Sequence, residues 1–119
     1  AEQDYILIPK VKNHATLTEQ RVIDITTAIV CLDYGVRPEN IMTKSRESVY
    51  PQMRYKIMYL VNKINPGIPY KFLAGYFGKK SHCIIVHAIK KIKGEMEVMV
   101  KMKSEMELLE KRVREELAK

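Results

Sequence analysis

From Thr18 onward the apolar residues of this chain recur at steps of three and four, in four separate stretches. They are Val22, Ile25, Ile29 and Leu32; Tyr50, Met53, Ile57, Leu60, Val61 and Ile64; Ile85, Ala88, Ile89 and Ile92; and Met99, Met102, Met106, Leu109 and Val113. That period puts each set on one face of an α-helix, whereas a half-buried strand needs alternation. "DYILIPKV", within residues 1–16, is apolar but short and ended by Pro9, with no second strand to pair it, so it reads as an extended arm or linker. No strand-rich segment or internal repeat stands elsewhere. The expected fold is a compact all-α domain, and 119 residues suffice for a core without disulfide staples.

Capping and breaking residues divide these stripes into helices. Thr18 is the expected N-cap of the first helix and Gly35 its end; Pro38 opens a short helix through Met42. "TKSRES" at 43–48 leads to a helix starting near Ser48, in which Pro51 falls in the tolerant first turn and Gln52, Lys56, Tyr59 and Lys63 face outward. "NPGIP" is a turn, and "YKFLAGYF" a short helix whose Phe72, Leu73 and Phe77 pack inward and which Gly78 ends. Ser81 is the expected N-cap of a helix running to Lys93, with Cys83, His87, Lys90 and Lys91 opposite its apolar face or at its edge. A short helix, a glycine turn and a second helix with a basic outer face make a helix-turn-helix. Beyond Gly94 a long terminal helix is expected, and its seam has three uses open to it: folding back, pairing with another copy, or standing as an extension. The expected organisation is an arm at 1–16, the helix-turn-helix domain at 17–93 and the terminal helix at 94–119, with residues 95–117 the surface for a homodimer or other protein partner.

The net charge of +7 is unevenly placed: residues 1–43 carry −2, residues 44–93 carry +10 and residues 94–119 carry −1. A basic middle of that strength is the footprint of a surface that meets a polyanion. No apolar run approaches the roughly 20 residues of a membrane span, and the N-terminus has no signal-peptide pattern, so the expected compartment is the cytoplasm. Cys31 and Cys83 suit a reducing setting. The chain opens on Ala1, as a piece of a longer protein would.

"FGKKSHCIIVHAIKKI" at 77–92 poses a choice between a phosphate-cradling loop and a DNA-reading turn. A nucleotide-binding P-loop needs four residues between its glycines and a strand before it; Gly75 and Gly78 are separated by two residues and follow a helical pattern. His82 and His87 stand about 140° apart around a helix and cannot share a metal. Adjacent helical side chains diverge, so His82 and Cys83 form no thiolate–imidazole pair. No enzymatic activity, cofactor or metal is expected.

The blocks "GVRPENIMTKSRES", "RYKIMYL" and "LAGYFGKKSHCIIVHAIKKI" resemble, in order and spacing, the C-terminal DNA-binding domain of the bacterial replication initiator DnaA, a Trp-repressor-like helical domain. The similarity covers residues 18–93 and leaves out the arm, the terminal helix and the family's ATPase module. It implies double-stranded DNA as the partner, a DnaA-box-like site as the target, replication initiation or its regulation as the process, and the bacterial nucleoid as the place. It assigns Arg46 to the arginine that enters the minor groove, with Lys44 near enough to share the role. Lys80 stands at a phosphate-contacting arginine, His82 at the base-approaching histidine of the major groove, and Arg54 at an arginine able to reach phosphate. His87 and Ala88 match a later pair, for which packing fits at least as well as DNA contact.

Three positions depart from the family's pattern: Ser81 for an aspartate, Cys83 for a hydroxyl residue and Lys79 for a glycine. Ser81 loses an acceptor-only carboxylate, and two altered base contacts at roughly 1 to 3 kcal/mol each weaken or redirect sequence choice. Lys79 adds phosphate attraction without sequence information. The expected base contacts are therefore Arg46, Ser81, His82 and Cys83, and the expected phosphate contacts Lys44, Arg54, Lys79, Lys80 and Lys90. The rival expectations are nonspecific DNA binding and a protein-interaction module dimerising through the terminal helix.

Overall fold

The computed structural model describes residues 17–42 and 49–119. The arm at 1–16 and the basic loop at 43–48, with Lys44 and Arg46, lie outside the described residues. Six helices and no strand occur among the described residues: α1 Leu17–Tyr34, α2 Pro38–Met42, α3 Val49–Ile64, α4 Tyr70–Tyr76, α5 Cys83–Val98 and α6 Val100–Leu117.

Helix α3 is the hub, touching α1, α2, α5 and α6. Met53, Ile57, Met58, Leu60 and Val61 are fully enclosed. Lys56 and Tyr59, expected to face outward, are also buried. For Lys56 the reason is α6, which covers the side of α3 that a smaller bundle would leave wet. Lys56 Nζ meets Glu105 Oε2 of α6 at 2.8 Å and bonds the Tyr34 hydroxyl of α1, which itself donates to Glu105 Oε2 at 3.1 Å. Arg112 Nη1 lies 3.4 Å from Asp33 Oδ1, a second tie between α6 and α1. The terminal seam is thus closed within the chain, with Met106, Leu109 and Val113 buried and Met102 packed at its edge.

Helix α1 is rotated from the face expected: Val22 is buried and Ile29 packs against the edge of the core as expected, but Leu32 is not enclosed. Val22, Ile23, Thr26, Thr27, Val30 and Cys31 are buried, while Leu32 is 73% exposed. Both faces keep the helical period; α1 is gripped by α3 and α6 along the one that includes two threonines. Thr26 avoids a burial cost by donating from Oγ1 to the Val22 carbonyl at 2.7 Å.

The glycine stops are built as the sequence suggests. At Gly35 (φ 68°) and Gly78 (φ 73°) the chain takes the left-handed conformation of a Schellman cap. Val36 N–H donates to the Cys31 carbonyl at 2.9 Å and Gly35 N–H to Leu32 at 3.2 Å; Lys79 N–H donates to Ala74 at 2.9 Å and Gly78 N–H to Gly75 at 2.9 Å. A Cβ at Gly78 would meet nothing within 4 Å. Gly78→Ala therefore costs only the left-handed backbone, about 1 to 2 kcal/mol, readable as a lowered denaturation midpoint with an unchanged slope.

Three ionisable groups predict how this packing responds to alkali. Burial pushes Tyr34 up, and it pushes the Cys31 thiol up to about 11 with Glu39 adding to the rise. At Lys56 burial pulls downward, but hydrogen bonds to Glu105 and Tyr34 outweigh it and leave a net rise. Each group holds its proton more tightly folded than unfolded, so the stabilisation is complete below the unfolded values and fades as pH climbs through the folded ones. Thermal stability should be flat through neutral pH and decline from about pH 9, where the Cys31 thiol of the unfolded chain starts to ionise, with Tyr34 and Lys56 adding to the fall at higher pH. A melting series that instead weakened between pH 6 and 8 would contradict this assignment.

Candidate nucleic-acid interface

Helix α4 is held by Pro69, whose carbonyl accepts from Leu73 N–H at 3.0 Å, and by Leu73, Ala74 and Phe77, all buried. The turn before it is an Asx turn: Gly67 N–H donates to Asn65 Oδ1 at 3.0 Å, and Ile68 plugs into the core. Beyond α4 the Gly78 cap reverses the chain, and the next five residues, Lys79, Lys80, Ser81, His82 and Cys83, are all exposed. Helix α5 begins there with its rear face locked, Ile85, Ala88 and Ile92 being fully buried. The outward face continues through Val86, His87, Lys90 and Lys93. Cations and hydrogen-bonding side chains are thereby presented together at the start of a rigid helix.

Two details differ from expectation. Ser81 stands one residue before the cap position, which His82 occupies, yet its Oγ accepts from Cys83 N–H at 3.1 Å and so still satisfies one free donor of the first turn. Helix α5 does not end at Lys93: it runs through Gly94 to Val98, held across the glycine by a Lys91–Glu95 pair at 3.2 Å. Gly94 weakens a helix without breaking it, and the break comes at Met99, whose backbone is extended (φ −122°, ψ 107°).

Arg54 is not on the exposed basic face. It is 5% exposed, and its Nη1 donates to the Ile41 carbonyl at 2.8 Å, a group that the end of α2 would otherwise leave unbonded. Its position on α3, between α2 and the core, makes it an anchor for the segment leading into the basic loop. The sequence reading passed over two residues. Val86 is an apolar side chain 38% exposed in the middle of the basic face, and the spacing from Cys83 through Val86 and His87 to Lys90 would have found it. Tyr55 meets the His87 ring edge-on, with centroids 5.3 Å apart, and so steadies an exposed histidine from α3; only the packing of α3 on α5 brings the two together.

The two cysteines give a direct probe of this face. Cys31 is buried with a raised pKa, whereas Cys83 is exposed beside His82. A thiol reagent at pH 8 should label one equivalent per native chain and two after denaturation, with Cys83 the native site by peptide mapping.

Among the described residues no group of His, Cys, Asp and Glu could hold a metal ion, and no helix is long and apolar enough to cross a membrane.

A short helix, a glycine-capped turn and a second helix with an exposed basic face, all set on a helical scaffold, define a helix-turn-helix domain of the nucleic-acid-binding type. Residues 23–92 match the family described as bacterial dnaA protein helix-turn-helix, and the chain belongs to that family. It is 31% identical over 93 residues to the chromosomal replication initiator protein DnaA of Bacteroides fragilis strain YCH46 and 30% identical over 93 residues to that of Bacteroides thetaiotaomicron, each alignment covering 78% of this chain. The DnaA of Campylobacter jejuni is 24% identical over 103 residues, 86% of this chain. The chain spans about a fifth of the length of these curated relatives. No solved structure matches it.

Proposed function

We propose that this chain is a non-catalytic module that binds double-stranded DNA at a DnaA-box-like, AT-rich site, in replication initiation or its regulation at the bacterial nucleoid. The observation that carries the reading is the exposed run from Lys79 to Cys83, delivered by the Gly78 cap onto a helix whose opposite face is fully buried. A helix anchored in that way can enter a major groove without losing its core contacts. Lys79, Lys80 and Lys90 would neutralise phosphates; Ser81, His82 and Cys83 would face base edges; Arg46, with Lys44, would reach the adjacent minor groove. Arg54 is left out of the phosphate set because its side chain is buried, with Nη1 donating to the Ile41 carbonyl of α2.

Fluorescence anisotropy with a DnaA-box duplex and a scrambled duplex of equal composition, at low and near-physiological salt, tests the proposal. A preference that survives salt supports site-specific recognition. Equal affinities erased by salt would reduce the chain to a nonspecific binder, the outcome that the loss of a carboxylate at Ser81 favours. No binding at either salt would overturn the reading.

A further inference from the structure

The α5–α6 corner holds an arrangement that DNA binding does not use. Helices α5 and α6 are separated by one non-helical residue, Met99, yet their apolar stripes keep a single register across it. Ile85, Ala88, Ile92, Met99, Met102, Met106, Leu109 and Val113 advance by alternating threes and fours as on one uninterrupted helix, and Glu95 takes the position between Ile92 and Met99. A chain that only folds back at Met99 has no need of that continuity. Neither glycine nor proline marks the corner; it is Val98-Met99-Val100, and all three side chains are exposed. Met99 N–H still donates to the Glu95 carbonyl at 2.8 Å and Lys103 N–H to the Met99 carbonyl at 3.1 Å, so helical bonding nearly bridges the break. Folding back also leaves a cost at the joint: Glu95 Oε1 is buried without a hydrogen-bond partner.

We infer that Met99 is a hinge and that a second copy of this chain is the partner: with Met99 helical, α5 and α6 become one rod of about 50 Å, and two chains exchange their α6 segments. The occupant is specified by the site that α6 leaves. That site is shaped to Met106, Leu109 and Val113 and carries Lys56, Tyr34 and Asp33 facing Glu105 and Arg112, so another copy's α6 restores every one of these contacts. Short connections between packed elements favour such exchange because the closed and exchanged forms differ only at the hinge.

The Lys56–Glu105 pair supplies a test in which the two forms give opposite results. Lys56→Glu places two glutamates together within one chain, and Glu105→Lys places two lysines together. Each variant alone should therefore melt lower than the parent. In an exchanged heterodimer of the two, both sites regain opposite charges, one in the native sense and one reversed. An equimolar mixture, refolded together, should run at twice the 13.9 kDa chain mass in sedimentation and recover most of the lost melting temperature. Refolding the two in one pot keeps the test valid even where a single variant does not fold alone. A mixture that stays at monomer mass without recovering stability overturns the inference. Met99→Gly in both partners disfavours the continuous helix by about fivefold per chain. It should cut the heterodimer yield by that order, and an unchanged yield would also overturn the inference.

Discussion

Leu109→Ala is expected to lower the unfolding free energy by about 3 kcal/mol, while Leu108→Ala, one residue away, changes it by less than about 0.5 kcal/mol. Leu109 is 1% exposed and sits in the seam between Met106 and Val113, where truncation removes transfer free energy and leaves a cavity lined by the core. Leu108 is 59% exposed on the outer face of α6, where truncation leaves no void. Urea titrations of the two variants compare the docked and free faces of one helix directly. Equal, small effects would mean that α6 contributes little to the fold and that the closed seam is not what stabilises the chain.

The second large effect concerns the turn. Neutralising Lys79 and Lys80 together, as glutamines, should weaken binding to any duplex roughly tenfold at near-physiological salt and lower the slope of log affinity against log salt by about 0.9 per lost phosphate contact. Both lysines are exposed and form no ion pair among the described residues, so the substitutions should leave the melting temperature within a degree or two of the parent. Lys111→Gln, on the exposed face of α6, is the control: it removes one charge, half the change made at the turn, from a site away from it and should leave the affinity nearly unchanged. If Lys111→Gln weakened binding as much as the double variant, overall charge and not the turn would govern the interaction. His82→Ala should behave differently, eroding the preference for the specific duplex more than affinity for the scrambled one.

Much of this architecture is written locally. Gly35 and Gly78 stop their helices because a residue without Cβ enters the left-handed conformation at least cost, and Pro38 and Pro51 sit where a helix has no N–H to lose. The helix-turn-helix needs only the residues from Tyr70 to Ile92, so its short-range pattern could be read directly. The exposed run from Lys79 to Cys83 follows from the same turn.

Side-chain environment was a different matter. Helix α1 has two overlapping faces of helical period, one with Val22, Ile25, Ile29 and Leu32 and one with Val22, Ile23, Val30 and Cys31, and periodicity cannot choose between them. Packing against α3 and α6 chose the second. Lys56 and Arg54 read as surface cations until Glu105 and the Ile41 carbonyl, 49 and 13 residues away, became their partners. The seam of α6 announced that it needed a cover without saying which surface would provide it. Spacing along the chain thus determined the helices, their ends and the reading turn, because these depend on backbone conformation over a few residues. Which faces are buried, which charges are paired and what closes the terminal seam were decided by contacts between helices far apart in the chain, and those exist only once the bundle has assembled.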